Sequence, residues 1–306
     1  MIYQNIEEYF SQFPDDIETI VVCFNSDHLP FNSDYLPDLS RFYKLKNLQC
    51  HNSEMTCLPE LPPTLEMLFL YQNKMTCLPV LPPSLKMLVC SGNHQMTCLS
   101  ELPSTLDYLA CSFSPLTRLP DLPSSLISLC CAHNQLTSLP SLPSSLRSLF
   151  CPDNQLTSLP DLPYTLKDLN CSNNQLTSLP PLPSTLTRLT CACNKLTYFP
   201  DLPSTLEYLV CFSNLFLDCY IKHIEHTNYT SMTDYITDFR NQINIINQFR
   251  ELFYALKYKK QFLDLLWVCI REPKIRNKYH PSNLMTLLEG KEDMTLDELD
   301  ELLEKW

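Results

Sequence analysis

Residues 119–218 are one twenty-residue phrase written five times: LPDLPSSLISLCCAHNQLTS, LPSLPSSLRSLFCPDNQLTS, LPDLPYTLKDLNCSNNQLTS, LPPLPSTLTRLTCACNKLTY and FPDLPSTLEYLVCFSNLFLD. A chain that repeats at so short a period cannot give each copy a core of its own. Twenty residues bury too few aliphatic side chains to offset the conformational entropy of ordering them. The copies must therefore stack, each covering the apolar edge of the next, and the expected shape is a solenoid.

The most constant part of the phrase is Leu-x-x-Leu-x-Cys-x-x-Asn, the spacing of leucine-rich repeats, which gives a strand on every coil. Equivalent strand starts stand at Leu45, Leu65, Leu85, Leu106, Leu126, Leu146, Leu166, Leu186 and Leu206. Ile17, Ile20, Val22 and Asn25 reproduce the spacing once more, so about ten coils are expected. The step between starts is 28 residues, then 20, 20 and 21, and 20 thereafter; the extra residue in the step of 21 lies near His94. The coil that follows is irregular, with Ser114 where asparagine usually stands. Within a strand alternate residues face opposite ways. Leu166, Leu169 and Cys171 should then point inward and Asp168 and Asn170 to the open face. Asn73, Asn93, Asn134, Asn154, Asn174, Asn194 and Asn214 form a column whose amides can satisfy backbone groups at the turn. Thr76, Thr97, Thr117, Thr137, Thr157, Thr177 and Thr197 suggest a second polar column.

The chain has 25 prolines and 2 glycines among its 306 residues, and the prolines recur with the period. Proline fixes φ, lacks a donor and pushes the preceding residue towards extended backbone, so the Leu-Pro-x-Leu-Pro leg should be polyproline-like rather than helical. Eight of the 16 cysteines, Cys50, Cys90, Cys111, Cys131, Cys151, Cys171, Cys191 and Cys211, share one repeat position, taken by Leu70 in the remaining coil. That equivalence makes them small core hydrophobes, and free thiols in such number point to an intracellular, reducing compartment. Residues 1–218 carry 10 basic and 20 acidic side chains, so the repeats repel nucleic-acid backbones and anionic membranes. No apolar run is long enough to span a bilayer.

The expected fold class is an α/β solenoid: a parallel concave sheet, extended convex legs, an N-terminal helical cap and a small helical domain at the C-terminus. Residues 1–14 read as the cap, with Ile2, Ile6, Tyr9, Phe10 and Phe13 on one helical face and Pro14 ending it. Residues 15–218 read as the repeat array. Residues 26–44 form a long irregular connection that could fold over the open face. Residues 219–306 read as the helical domain, part of which caps the array; Thr295 and Glu298 make a capping box there.

Residues 58–214 resemble the short leucine-rich repeats of secreted bacterial effectors, whose repeat also reads Leu-Pro-x-Leu-Pro followed by Leu-x-x-Leu-x-Val-x-x-Asn-x-Leu-Thr. Cysteine replaces valine here. The scarcity of glycine and the tail sequence YHPSNL are similar to repeat proteins of giant amoeba-infecting DNA viruses. The bacterial resemblance implies a fold and protein recognition. Some such effectors add a ubiquitin-ligase domain with a Cys-x-Asp nucleophile, but the only such triplet here, Cys151-Pro152-Asp153, places its cysteine in the core column.

The open face is where a solenoid binds. Its candidate contact residues are Met67, Phe69, Tyr71, Met87, Val89, Tyr108, Phe150, Asp168, Asn170, Arg188 and Tyr208, apolar in the first half and polar in the second. Exposed aromatic and methionine side chains of this kind anchor protein interfaces. Cys219, His223 and His226 fall at helical spacing but have no fourth ligand, so no metal is expected. Lys257, Lys259, Lys260, Arg271, Lys274, Arg276 and Lys278 lie among acidic residues and read as a solvated surface. The expected function is non-enzymatic binding of a protein partner by a monomer without a cofactor. The alternatives are a ubiquitin-system adaptor acting through the helical domain and a structural component of a virion.

Overall fold

The computed structural model describes residues 5–23, 34–51, 54–215, 234–241, 243, 244, 247 and 258. The chain forms two compact units, Met1–Asn244 and Ile245–Trp306. The repeats lie in the first.

Ten short strands, one per coil, form a single parallel sheet in sequence order. They are β1 (Thr19–Cys23), β2 (Asn47–His51), β3 (Met67–Phe69), β4 (Met87–Val89), β5 (Tyr108–Ala110), β6 (Ser128–Cys130), β7 (Ser148–Phe150), β8 (Asp168–Asn170), β9 (Arg188–Thr190) and β10 (Tyr208–Val210). Leu48 and Cys50 of β2 and the central leucine of each strand from β3 to β10 are buried, while the flanking strand residues stay at least partly open, the small Ala110 of β5 excepted. The coil is numbered with its strand. Each interior is a stack of leucines closed by the cysteine column, every member of which is 0% exposed, as is Leu70.

Three ladders of polar groups hold coil to coil. The first is the asparagine column. Asn154 Nδ2 donates to the Cys131 carbonyl of the preceding coil at 3.0 Å and to Cys151 of its own at 3.2 Å, while Oδ1 accepts from Leu136 N at 3.1 Å. Asn174, Asn194 and Asn214 repeat this pattern. At Ser114 the short hydroxyl makes only a 3.5 Å contact with Ser112 O, and Met96 N turns to Asn93 O instead.

The second ladder was not read from the sequence. From Leu65 onward the residue before the strand-start leucine, for example Thr64, Ser125, Ser145, Thr165, Thr185 or Thr205, donates its hydroxyl to the preceding coil's equivalent leucine carbonyl at 2.6–2.9 Å. The column running from Thr76 to Thr197 is exposed instead. The third ladder is ionic: Lys46 pairs with Glu18 at 3.1 Å and Lys86 with Glu66 at 2.8 Å, charges alternating up the stack. Exposed pairs of this kind help set register more than stability.

Helix α1 (Ile6–Ser11) opens on Asn5, whose side chain accepts from Glu8 N at 2.8 Å, and ends before Pro14 in a tight turn from Phe13 N to Phe10 O at 3.1 Å. Ile6 and Phe10 are buried, and the Tyr9 hydroxyl donates to Val21 O at 3.0 Å, so the helix covers the open edge of β1. Leu36, Leu39 and Phe42 enter the core. That half of the long connection therefore fills the interior between coils 1 and 2; residues 24–33 lie outside the described residues. At the other end, helical residues 234–241 close coil 10. Phe239 meets Phe199 edge-on at 5.6 Å, the Tyr235 hydroxyl lies 3.5 Å from Cys211 Sγ, and Arg240 donates to Pro203 O at 2.9 Å.

Candidate functional site: the concave sheet face

Strand register decides which exposed side chains become neighbours. Along the first outward column run Met67, Met87, Tyr108, Ser128, Ser148, Asp168, Arg188 and Tyr208. The second runs Phe69, Val89, Ala110, Cys130, Phe150, Asn170, Thr190 and Val210. Met67, Met87, Tyr108, Phe69 and Val89 thus form a continuous apolar field over β3–β5. Tyr71 extends it past the end of β3, 39% exposed, its ring 4.8 Å from that of His51. Phe150 joins through Ala110 and the half-buried Cys130. Asp168 and Arg188 lie side by side as an ion pair, with Asn170 next to Asp168, so the face turns polar at β8. Tyr208 stands on the last strand, separated from the apolar field by this polar section.

The field is electrically quiet. Burial pushes the His51 imidazole below its ordinary value, favouring its neutral form. Burial raises the Tyr108 phenol, with a smaller contribution from Cys130. By contrast, the hydrogen bond and charge of Asp168 hold the Arg188 guanidinium above its ordinary value.

One set of residues at this face escaped the sequence reading. The residue just before each asparagine position adopts left-handed backbone: Gln72, Gly92, Phe113, His133, Asp153, Asn173, Cys193 and Ser213, with φ between 52° and 76°. Left-handed backbone turns these side chains outward along the rim of the concave face. Phe113, 52% exposed, stacks on His133 with ring centroids 4.3 Å apart and planes 18° apart, and His133 Nε2 lies 3.4 Å from Asp153. At Gly92 the rim is interrupted. A Cβ there would sit 3.2 Å from Gln72 N, a tight approach that glycine avoids, whereas the positive φ itself is taken by non-glycine residues at the seven equivalent positions. The missing side chain leaves a groove of about 400 Å³ lined by Tyr71, Gln72, Ser91, Gly92, His94 and Phe113, continuous with the apolar field. Gly92, His133, Asp153 and Asn173, residue types that tolerate positive φ, were the sequence signals of this column.

Burial lifts every thiol of the core column, that of Cys171 to about 12 and that of Cys151 well above its ordinary value, so Cys151 cannot serve as a nucleophile. Among the described residues no group of three or more His, Cys, Asp or Glu side chains could hold a metal ion. Cys219, His223 and His226, like the basic residues from Lys257 to Lys278, lie outside the described residues. No helix among those described is long and apolar enough to cross a membrane.

Comparison with solved structures matches this arrangement of coils. YopM from Yersinia enterocolitica superposes with a TM-score of 0.62 at 38% identity, over 66% of this chain and 43% of that one. The fold is that of a leucine-rich repeat solenoid. YopM from Yersinia pestis, a leucine-rich effector protein, gives a TM-score of 0.52 at 35% identity over 60% of this chain and 58% of that one. The chain therefore spans about half the length of the bacterial effectors that it resembles. An octameric complex of latrophilin 3, Unc5D and the leucine-rich repeat protein FLRT2 gives a TM-score of 0.54 at 22% identity, over 65% of this chain and 71% of that one, a likeness of fold alone. No protein-family model matches the chain, and no curated protein matches it in sequence.

Proposed function

We propose that the protein is a non-enzymatic protein-recognition module whose contact surface is the concave face of coils 3–5. One observation carries this reading: the contiguous field of Met67, Phe69, Met87, Val89 and Tyr108, placed by strand register on the open side of the sheet. A solenoid has no structural need for large apolar side chains there, because its core lies on the other face, and β8 and β9 of the same array carry Asp168, Asn170 and Arg188 instead. The field grades into the groove at Gly92 and ends against an ion pair, so apolar centre and polar flank follow the anatomy of protein interfaces. Leucine-rich repeat folds are typically protein-binding scaffolds, which agrees with it. The acidic repeats disfavour nucleic acid and anionic membrane as partners, and free thiols throughout the described coils suit a reducing compartment.

The test is paired substitution. Phe69→Ser with Tyr71→Ser should abolish capture of a discrete protein partner while leaving the melting temperature within a few degrees, because both side chains lie outside the core. Arg188→Ala should leave capture nearly intact. Equal loss in both variants, or loss of folding in the first, would refute the assignment.

A further inference from the structure

A second column of cysteines lies on the outside of the coils. Cys57, Cys77 and Cys98 occupy one repeat position in coils 2, 3 and 4, two residues beyond the buried Met55, Met75 and Met96, and all three are exposed free thiols. In later coils this position holds Arg118, Ser138, Ser158, Ser178 and Tyr198. The three therefore share an environment that no packing requirement reserves for cysteine.

Neighbouring coils run close at this point. Lys74 N donates to Met55 O at 2.9 Å, three residues before Cys77 and two before Cys57. One residue before the same column higher in the stack, Thr197 N donates to Thr177 O at 3.2 Å. Hydrogen-bonded parallel backbones lie about 4.8 Å apart, within the roughly 4.4–6.8 Å between Cα atoms that a disulfide spans. Between coils 3 and 4 the extra residue near His94 interrupts this spacing, and a surface groove of about 390 Å³ lined by Val80, Leu81, Pro83, Ser100 and Glu101 runs along the two legs.

We propose that Cys57 and Cys77 are a dithiol pair that small-molecule disulfides convert into a reversible crosslink between coils 2 and 3, while Cys98 stays outside the pair. The thiolate of one cysteine attacks a sulfur of the oxidant, forming a mixed disulfide and releasing one small thiol. The second cysteine then attacks the protein sulfur of that mixed disulfide and expels the second small thiol. Two electrons and two protons pass from the cysteine pair to the oxidant, which leaves as two thiols. The crosslink fastens the coil that carries Phe69 and Tyr71 to its neighbour.

Full-length reduced protein treated with oxidised glutathione, quenched by alkylation and digested, should yield a Cys57–Cys77 linked peptide, lost on treatment with dithiothreitol. Cys98→Ser should leave that peptide unchanged. Cys77→Ser should leave Cys57 as a stable glutathione adduct, and the later coils already carry serine at this position, so the variant should fold. Stable glutathione adducts on both Cys57 and Cys77 of the unmodified chain, or a Cys77–Cys98 link in place of the expected one, would overturn the proposal.

Discussion

Asn154→Ala should cost about 3 kcal/mol of stability. The amide is almost completely buried and makes four contacts at hydrogen-bond distance: its nitrogen to Cys131 O, Cys151 O and Pro152 O, its oxygen to Leu136 N. The loss is uneven. Cys131 O retains a bond from Asn134 at 3.1 Å and Cys151 O one from Asn174 at 3.0 Å, so these carbonyls are not abandoned. Leu136 N has no substitute acceptor on the alanine side chain. An orphaned buried donor costs about 1–3 kcal/mol, and each lost net hydrogen bond about 1 kcal/mol. Ser114→Ala is the internal control: at the equivalent position only one 3.5 Å contact disappears, so the cost should stay below about 1 kcal/mol. Coils are coupled to their neighbours and open locally. Urea unfolding should therefore be joined by hydrogen exchange of the Leu136 amide, which should lose protection in Asn154→Ala alone. Equal costs at residues 114 and 154, or unchanged protection at Leu136, would show that the asparagine column does not join the coils.

Three further outcomes follow from the same structure. Thiols of the core column have folded values above the ordinary thiol value of 9, about 11 for Cys211 and about 12 for Cys90 and Cys171. Their contribution is fully present below about pH 9 and is lost as pH rises from there through the folded values, because only the unfolded chain ionises readily. Replacing Cys171 by valine should flatten urea midpoints measured between pH 8 and 10.5, and an unchanged slope would count against the buried-thiol account. Gly92→Ala should lose about 1–2 kcal/mol, since φ is +76° and the new Cβ would press on Gln72 N; a neutral result by thermal melting would mean the rim relaxes freely. At pH 7.5 iodoacetamide should label Cys57, Cys77 and Cys98 within minutes and spare the core column until unfolding, as read by mass spectrometry; early labelling of Cys131 would contradict its burial.

The repeat was legible because its constraints recur: a leucine that must face inward in one coil must do so in all, and a cysteine that keeps company with Leu70 declares itself a core residue. The asparagine column was legible for the same reason. What failed to show was anything depending on where a side chain is carried by the turn. The hydroxyl ladder stayed hidden because threonine at 76, 97 and 117 is invariant in type and draws the eye, whereas the residues that donate vary between serine and threonine, as at Ser84 and Thr105, two residue types with one function. The left-handed rim was hidden because Gln72, Phe113, Cys193 and Ser213 share no chemistry that signals positive φ. At the concave face, periodicity named the outward positions, but only register showed that Met67, Met87 and Tyr108 are paired on adjacent strands and that Phe150 lies two strands beyond, linked through Ala110 and Cys130.

Site-specific photo-crosslinking tests the central claim most directly. A benzophenone amino acid placed at Val89, in the middle of the apolar field, should yield one discrete adduct with a second protein. The same group at Val80, 91% exposed on the outer leg, should yield none. Adding Phe69→Ser and Tyr71→Ser should erase the adduct at residue 89. An identical adduct from both positions, or none from Val89 under conditions where Val80 gives one, would place recognition elsewhere than the concave face.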